Sequence, residues 1–411
     1  MENWIREDIN FFKINCDKHE KVKVITNKPI EEEFFNYANN FKEAASIIAK
    51  DALYSNKIAV LDINFFSLAF LYRHSIELSL KAIGFQYITE NEERKKFLNK
   101  TLHNLYDIST YISEHIQEYI DIDKEAYDWM MNIFEDMNDI DKESDSFRYP
   151  FSIIKKETDI FNQNKKEFNI KEFFDKQTHI NLLDFANKME IVFDILKSYY
   201  LREDNITEKY KEHRPIFLEE GGSYYSQSVI GYGYNRNRFN CNIQSYRNSA
   251  KVLYNHINEN LEKRNSLFMP LCYLYRNSVE LSMKDILFDE SSYTYQETLI
   301  LLNQNKHKLL SIWNSIKGDI IRHCGVTEED KVICEVEQYI SKLNDIDGAA
   351  DKFRYPTDKY LNLHFKRVKS FDVNNVKDFF EDILSFFYCV SALMSEQNQM
   401  LKDMENEYIN Y

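Results

Sequence analysis

Apolar residues recur along this chain at helical intervals. Between 31 and 54, Phe34, Phe41, Ala45, Ile48 and Ala52 fall on one face, which predicts an amphipathic helix. The stretch 61–87 is apolar almost all round (Phe65, Phe66, Leu68, Phe70, Leu71, Ile76, Leu78, Leu80, Ile83), the pattern of a buried central helix. Leu105, Ile108, Ile112 and Ile116 form the stripe of a third helix, and a further helical segment spans about 124–139. Pro150 keeps Tyr149 out of the helical region, so the chain breaks and turns there. Amphipathic segments at about 180–200 and 372–394 predict closing helices.

These elements are written twice. LYRHSIELSLKAIGF at 71–85 returns as LYRNSVELSMKDILF at 274–288, with ten of fifteen positions identical, and NDIDKESDSFRYP at 138–150 returns as NDIDGAADKFRYP at 344–356, with nine of thirteen. The stripe of the third helix returns as Leu309, Ile312, Ile316 and Ile320. An offset that drifts only from 203 to 206 residues implies a whole unit duplicated in tandem. The expected fold is all-α: two four- or five-helix bundles, 1–202 and 246–411, joined by a short extended or hairpin linker at 203–245.

Composition agrees. A chain of 411 residues with only 8 glycines and 5 prolines favours long helices with short connections, and each half is large enough to bury its own core. Four of the glycines (Gly221, Gly222, Gly231, Gly233) fall in the expected linker. The six cysteines show no paired spacing, which argues against a disulfide framework or a zinc knuckle, and His323 with Cys324 and Cys334 gives no recognised metal spacing. The charged opening segment and the lack of a long apolar run predict a soluble, cytoplasmic chain without membrane contact. A net charge of −15 opposes a broad duplex-binding surface while leaving room for local basic pockets.

The residues that could carry chemistry are the polar ones in apolar surroundings. Arg73, Glu77 and Lys81 stand at i, i+4 and i+8 on the buried helix, and Arg276, Glu280 and Lys284 repeat the column. Ser75, Ser79, Ser278 and Ser282 mark the opposite face, where small side chains let another helix approach. The column reads structurally as an ion network that Arg148 or Asp141 would complete, or chemically as a pocket for phosphate or nucleotide. His103 and His307 occupy matching places before the third helix, where each would cap or pack, or act as a base beside an arginine. His74 has no counterpart, since Asn277 stands in the second copy. In the linker, YGYNRNRF places Tyr232, Tyr234, Arg236 and Arg238 on one side of an extended strand, either a plain edge strand or a surface that stacks on bases and holds phosphates. No phosphate-loop, dinucleotide, zinc-protease or serine-hydrolase motif occurs, so no cofactor or metal is implied.

Taken together, Glu77 and Lys81 on a buried helix, His103 and Leu105 opening the next, and Arg148, Tyr149 and Pro150 before a terminal helix resemble the HEPN superfamily of small α-helical bundles. Glu280, Lys284, His307, Leu309, Arg354, Tyr355 and Pro356 repeat the resemblance. It implies face-to-face pairing of the two units, a setting in prokaryotic toxin–antitoxin, abortive-infection or other antiviral systems, and metal-independent ribonuclease activity. Implied partners are RNA or a nucleotide and a protein of the same system, with homo-oligomers a further option. The family's R-x(4–6)-H dyad is absent, because no histidine stands four to six residues after Arg148 or Arg354.

Three functions follow from this. The first is RNA cleavage through Arg148 and Arg354 with His103 and His307. The second is a non-catalytic interaction or sensor module, and the third a nucleotide-binding regulatory partner of another enzyme. In each case the functional surface is expected where the two related units touch.

Overall fold

A computed structural model describes residues 4–7, 10–17, 21–116, 123–160, 163–203, 206–231 and 238–409. The first half holds α1 (Ile30–Tyr54), α2 (Ile58–Tyr87), α3 (Asn91–Thr101), α4 (Leu105–Ile116), α5 (Lys124–Asp141) and α6 (Leu182–Leu201). The second holds α7 (Asn240–Glu259), α8 (Arg264–Asp285), α9 (Tyr295–Asn305), α10 (Leu309–Cys324), α11 (Lys331–Asp347) and α12 (Val373–Ile409). The apolar periods therefore place the main helices well, and the chain is mostly helical. The short helices α3 and α9 rest on polar sequences with weak periodicity and were not expected. Asp123 and Asp330 cap α5 and α11 with their carboxylates, satisfying amides that the first turn leaves free.

Among the described residues, three two-stranded antiparallel sheets interrupt the helices. β1 (Val22–Val24) pairs with β6 (Lys369–Phe371), β2 (Phe151–Ile160) with β3 (Gln163–Glu172), and β4 (Thr178–Asn181) with β5 (Gln227–Ile230). The β2–β3 hairpin begins directly after Pro150, where the chain was expected only to turn. Its register runs from Phe151 opposite Glu172 outward. Gly231, just past β5, has φ +76°, and a Cβ there would lie 1.9 Å from the Lys176 carbonyl oxygen, so the close approach of these segments requires glycine.

α2 and α8 are buried on every side along most of their length, because their sequences are apolar all round. α2 packs on α1, α4, α6 and α7; α8 packs on α7, α10, α12 and α1. The crossings of α1 and α2 with α7 and α8 join the halves, and one hydrophobic core runs continuously through both. At the crossing of α2 and α7 the Ser67 hydroxyl lies 2.7 Å from that of Ser249, and the Ser67 amide donates to Ser245 Oγ at 2.9 Å. Small hydroxyl side chains let the two backbones approach there.

The segments outside the helices cross between halves. Phe11 is fully buried among Phe371, Phe379 and Phe380, and Arg6 pairs with Asp382 at 2.6 Å, so the N-terminal segment packs on the second half. β5 lies on α2, with the Val229 amide donating to Asp62 Oδ1 at 2.7 Å. α7 already begins at Asn240, so the end of the expected linker is helical. Arg238 sits in the turn that leads into α7, not on an extended strand as the alternation of aromatic and basic residues suggested. No helix of the described residues is long and apolar enough to cross a membrane.

Candidate functional site

Each buried helix carries one carboxylate wrapped in donors. In the first half Arg73 Nη1 donates to Glu77 Oε2 at 2.6 Å, and Lys81 Nζ donates to Glu77 Oε1 at 2.6 Å. Helical spacing sets both contacts, since i and i+4 lie one above the other. Arg73 Nε also pairs with Asp141 Oδ2 at 2.9 Å, and its Nη2 donates to the His103 carbonyl. The second half repeats the set. Arg276 Nη1 donates to Glu280, Lys284 Nζ donates to Glu280 Oε1 at 2.7 Å, Arg276 Nε pairs with Asp347 at 3.5 Å, and Arg276 Nη2 donates to the His307 carbonyl at 2.7 Å. Asp141, not Arg148, completes the network of its half.

The histidines join these clusters through one ring nitrogen. His103 Nδ1 lies 3.0 Å from Glu77 Oε1, and His307 Nδ1 lies 3.0 Å from Glu280 Oε1. A carboxylate only accepts, so each imidazole carries its proton on Nδ1 and keeps the Nε2 lone pair free of it. The two side chains remain about one-third exposed (34% and 33%), while Glu77 and Glu280 are buried, so the histidines are the outward ends of buried charge networks.

A matched backbone distortion positions both rings. Leu102 (φ 48°, ψ −107°) and Lys306 (φ 48°, ψ −108°) end α3 and α9 in a conformation that side chains rarely adopt, and each directly precedes its histidine. Strain of this kind survives only where the surroundings impose it. A second matched pair, Ser144 (φ 63°) and Ala350 (φ 61°), turns a carbonyl back onto the next loop: Arg148 Nε donates to Ser144 O at 2.7 Å and Arg354 Nε to Ala350 O at 2.9 Å.

The fourth donor to each buried glutamate comes from the other half. Tyr149 donates its hydroxyl to Glu280 Oε1 at 2.8 Å and lies 2.9 Å from His307 Nδ1. Tyr355 donates to Glu77 Oε1 at 2.8 Å and lies 3.4 Å from His103 Nδ1. Lys284 Nζ stands 4.3 Å from the centre of the Tyr149 ring, and Lys81 Nζ 5.3 Å from that of Tyr355, within cation–π range. Both tyrosines belong to the repeated FRYP sequence, yet sequence reasoning gave them no role. Their identity in both copies was the available signal.

Electrostatics follow from burial and these contacts. Burial alone would raise Glu77, but Lys81, His103 and Arg73 outweigh it and hold the carboxyl well below its usual range. Glu280 is held down in the same way by Lys284, His307 and Arg276. Glu77 pulls His103 upward, yet burial and the charges of Lys81 and Arg73 prevail, so the ring titrates below its ordinary value and stays neutral at pH 7. His307 behaves alike, opposed by burial, Lys284 and Arg148. Burial, then Glu280, keeps the Tyr149 phenol protonated far above its normal pKa.

The arginines and histidines do not pair within one half. Arg148 acts on Lys284 and His307 across the interface, and its guanidinium is engaged by Ser144 O, Asp145 Oδ1 at 2.5 Å and the faces of Phe70 and Tyr149. His74 is fully buried, with Nε2 donating to Arg354 O at 3.0 Å, so it serves the same interface. Arg238 pairs with Glu172 at 2.8 Å and lies against Phe288, while Tyr232, Tyr234 and Arg236 lie outside the described residues. His323 faces Gln397 at 2.7 Å, and among the described residues no group of three His, Cys, Asp or Glu side chains could hold a metal.

The second cluster opens into a cavity of about 360 Å³ lined by Tyr149, Ser152, Lys284, Asn303, Lys306 and His307, among others. Lys306 and a neutral imidazole with an unprotonated nitrogen can hold an anionic group and accept a proton beside it, while Lys284 is already paired with Glu280 and Asp145 adds a carboxylate to the lining. No family model, curated protein or solved structure matches the chain.

Proposed function

We propose that the chain is a tandem HEPN-like protein of the prokaryotic antiviral-defence or toxin type that acts on RNA. In this reading it is two copies of one helical bundle paired face to face, with the N-terminal segment folded onto the second copy. The observation that carries the reading is the reciprocal exchange of Tyr149 and Tyr355, which puts each His–Glu pair at the junction of the two halves. Function that depends on paired units would lie there. His307, with Nδ1 held by Glu280, would take a proton from a ribose 2′-hydroxyl, whose oxygen would bond to phosphorus as the P–O5′ bond breaks to leave a 2′,3′-cyclic phosphate. The departing 5′-oxygen would take a proton from water or from the protonated His307, with Lys306 facing the phosphate. His103 would act at the matching place in the first half.

The test is cleavage of cellular RNA by the purified chain, together with growth arrest on its expression. His103→Ala and His307→Ala, combined, should abolish both while circular dichroism shows the helices retained. Unchanged cleavage in the double variant overturns the reading.

One observation favours a non-catalytic interaction module instead. The guanidinium groups of Arg148 and Arg354, which an RNA-cleaving site would aim at phosphate, bond to carbonyls of their own loops. A module of this kind gives no cleavage at any protein concentration, and the histidine variants change only stability. The cations of the cavity also suit a nucleotide-binding regulator of a companion enzyme, which calorimetric titration with ATP would reveal.

A further inference from the structure

The chain carries a net charge of −15, yet two of its segments hold cations and no carboxylate. Residues 21–27 contribute Lys21 and Lys23, and residues 359–371 contribute Lys359, Lys366, Arg367 and Lys369. The fold pairs these distant segments. In the ladder of β1 and β6, Lys23 stands opposite Ser370 and Val24 opposite Lys369. Just beyond it the Thr26 amide donates to Phe365 O at 2.8 Å, and the Phe365 amide donates to Thr26 Oγ1 at 2.9 Å. Val22, Val24 and Phe371 are buried, while Lys23, Lys359, Lys366, Arg367 and Lys369 are exposed.

Nothing within the chain neutralises these cations. None of the six makes an ion pair among the described residues. The acids that bound the second segment are occupied by backbone amides. Asp358 Oδ1 accepts from Tyr360 and Asn362 at 2.8 and 2.9 Å, and Asp372 Oδ2 accepts from Asn15 and Cys16 at 2.9 and 3.1 Å. Like charges gathered without partners repel one another, and an anion relieves that repulsion. Two aromatic rings stand among the cations. Phe12 and Tyr360 are 45% and 62% exposed, with Lys369 Nζ 5.8 Å and Lys359 Nζ 5.0 Å from their ring centres. The second segment also starts beside the first His–Glu pair, because Tyr355, which donates to Glu77, stands four residues before Lys359.

We propose that this face holds the backbone of single-stranded RNA on its way to His103. Cations track the phosphates and exposed rings stack on unpaired bases, a combination that a duplex cannot use because its bases are covered. The acidity of the rest of the chain opposes a long duplex or a broad anionic surface and confines contact to a few phosphates. The inference rests on the RNA reading and adds to it the surface that receives the strand.

Fluorescence anisotropy of the full chain with a labelled 2′-O-methyl oligouridylate tests it, since that strand lacks the hydroxyl that the proposed cleavage needs. Saturable binding is expected. Lys366→Gln combined with Arg367→Gln, both exposed, should weaken it by about tenfold or more at about 0.1 M salt, and should lower the slope of log K against log salt by about 1.4. Tyr360→Ala should weaken it at least about fivefold through lost stacking. No binding by the unaltered chain, or equal binding by these variants, overturns the proposal. So does equally tight binding of polyglutamate or of a DNA duplex of the same length, the behaviour of a surface for acidic proteins or for any polyanion. The cleavage reading fails separately: binding as expected without cleavage of unmodified RNA removes the reaction and leaves the surface.

Discussion

The hydroxyl of Tyr149 donates to Glu280 across 2.8 Å, although the two residues stand 131 positions apart in the chain. Tyr355 makes the same bond to Glu77 in the opposite direction. Each half thus completes the other's buried network, and neither cluster has its full set of donors without the contact between halves.

Removing one hydroxyl should therefore loosen that contact without emptying the core. Tyr149→Phe and Tyr355→Phe are each expected to lose about 1.5–3 kcal/mol in denaturant unfolding, the usual worth of a hydrogen bond to a charged group. The clusters share no partner, so the double variant should show the sum within about 0.5 kcal/mol. A variant indistinguishable from the parent would show that the bond contributes nothing.

The glutamates should matter more. Glu280→Gln leaves Arg276 and Lys284 buried with Asp347 as the remaining acid, and unpaired buried charge typically costs about 3–5 kcal/mol. Glu92→Gln breaks an exposed pair with Lys95 and should leave the unfolding midpoint unchanged. Equal effects at the two positions would contradict the buried-network account.

Much of this arrangement could be read from the chain. The columns at Arg73 and Arg276 follow from helical spacing, and the break at Pro150 follows from proline sterics. What could not be read depends on distant partners. Nothing local in Phe151–Ile160 and Gln163–Glu172 distinguishes a hairpin from another turn, and the segment holding Phe11 gives no hint that its cover lies near Phe379. Tyr149 pointed to no partner because its carboxylate belongs to the other half. The twisted backbone at Leu102 and Lys306 was equally hidden, since neither residue type favours it.

That backbone makes a separate prediction. Leu102 is 54% exposed and holds φ 48°, so Leu102→Gly should relieve strain while losing little burial. Strain of about 1–3 kcal/mol, less about 0.5–1 kcal/mol for glycine's greater freedom when unfolded, leaves an expected gain of about 1 kcal/mol in thermal or denaturant unfolding. Lys306→Gly should gain similarly but removes a cation from the cavity beside His307. Destabilisation by Leu102→Gly would show that the side chain, not the backbone, holds the turn.

His74 offers the sharpest test of pH dependence. Its ring is enclosed by Phe41, Phe70 and Tyr355, and burial drives its pKa well below the ordinary value against the pull of Glu77, with Arg354 and Arg73 acting in the same direction as burial. The folded chain therefore keeps the ring neutral while the unfolded chain protonates it near pH 6.5. Stability from this difference is fully present above that value and is lost as pH falls below it. Between pH 7.5 and pH 5.5 one such histidine removes about 1.4 kcal/mol. His74→Asn, the residue the second half carries as Asn277, cannot titrate. Its unfolding free energy should fall less over that interval, by about the same 1.4 kcal/mol. His103 and His307 titrate the same way, and Asp285, raised to about 7, titrates oppositely, but all three are common to both proteins and cancel in the difference. Lost ring packing shifts the whole curve of the variant without changing its slope, so an unchanged slope would mean that His74 is protonated within the folded chain.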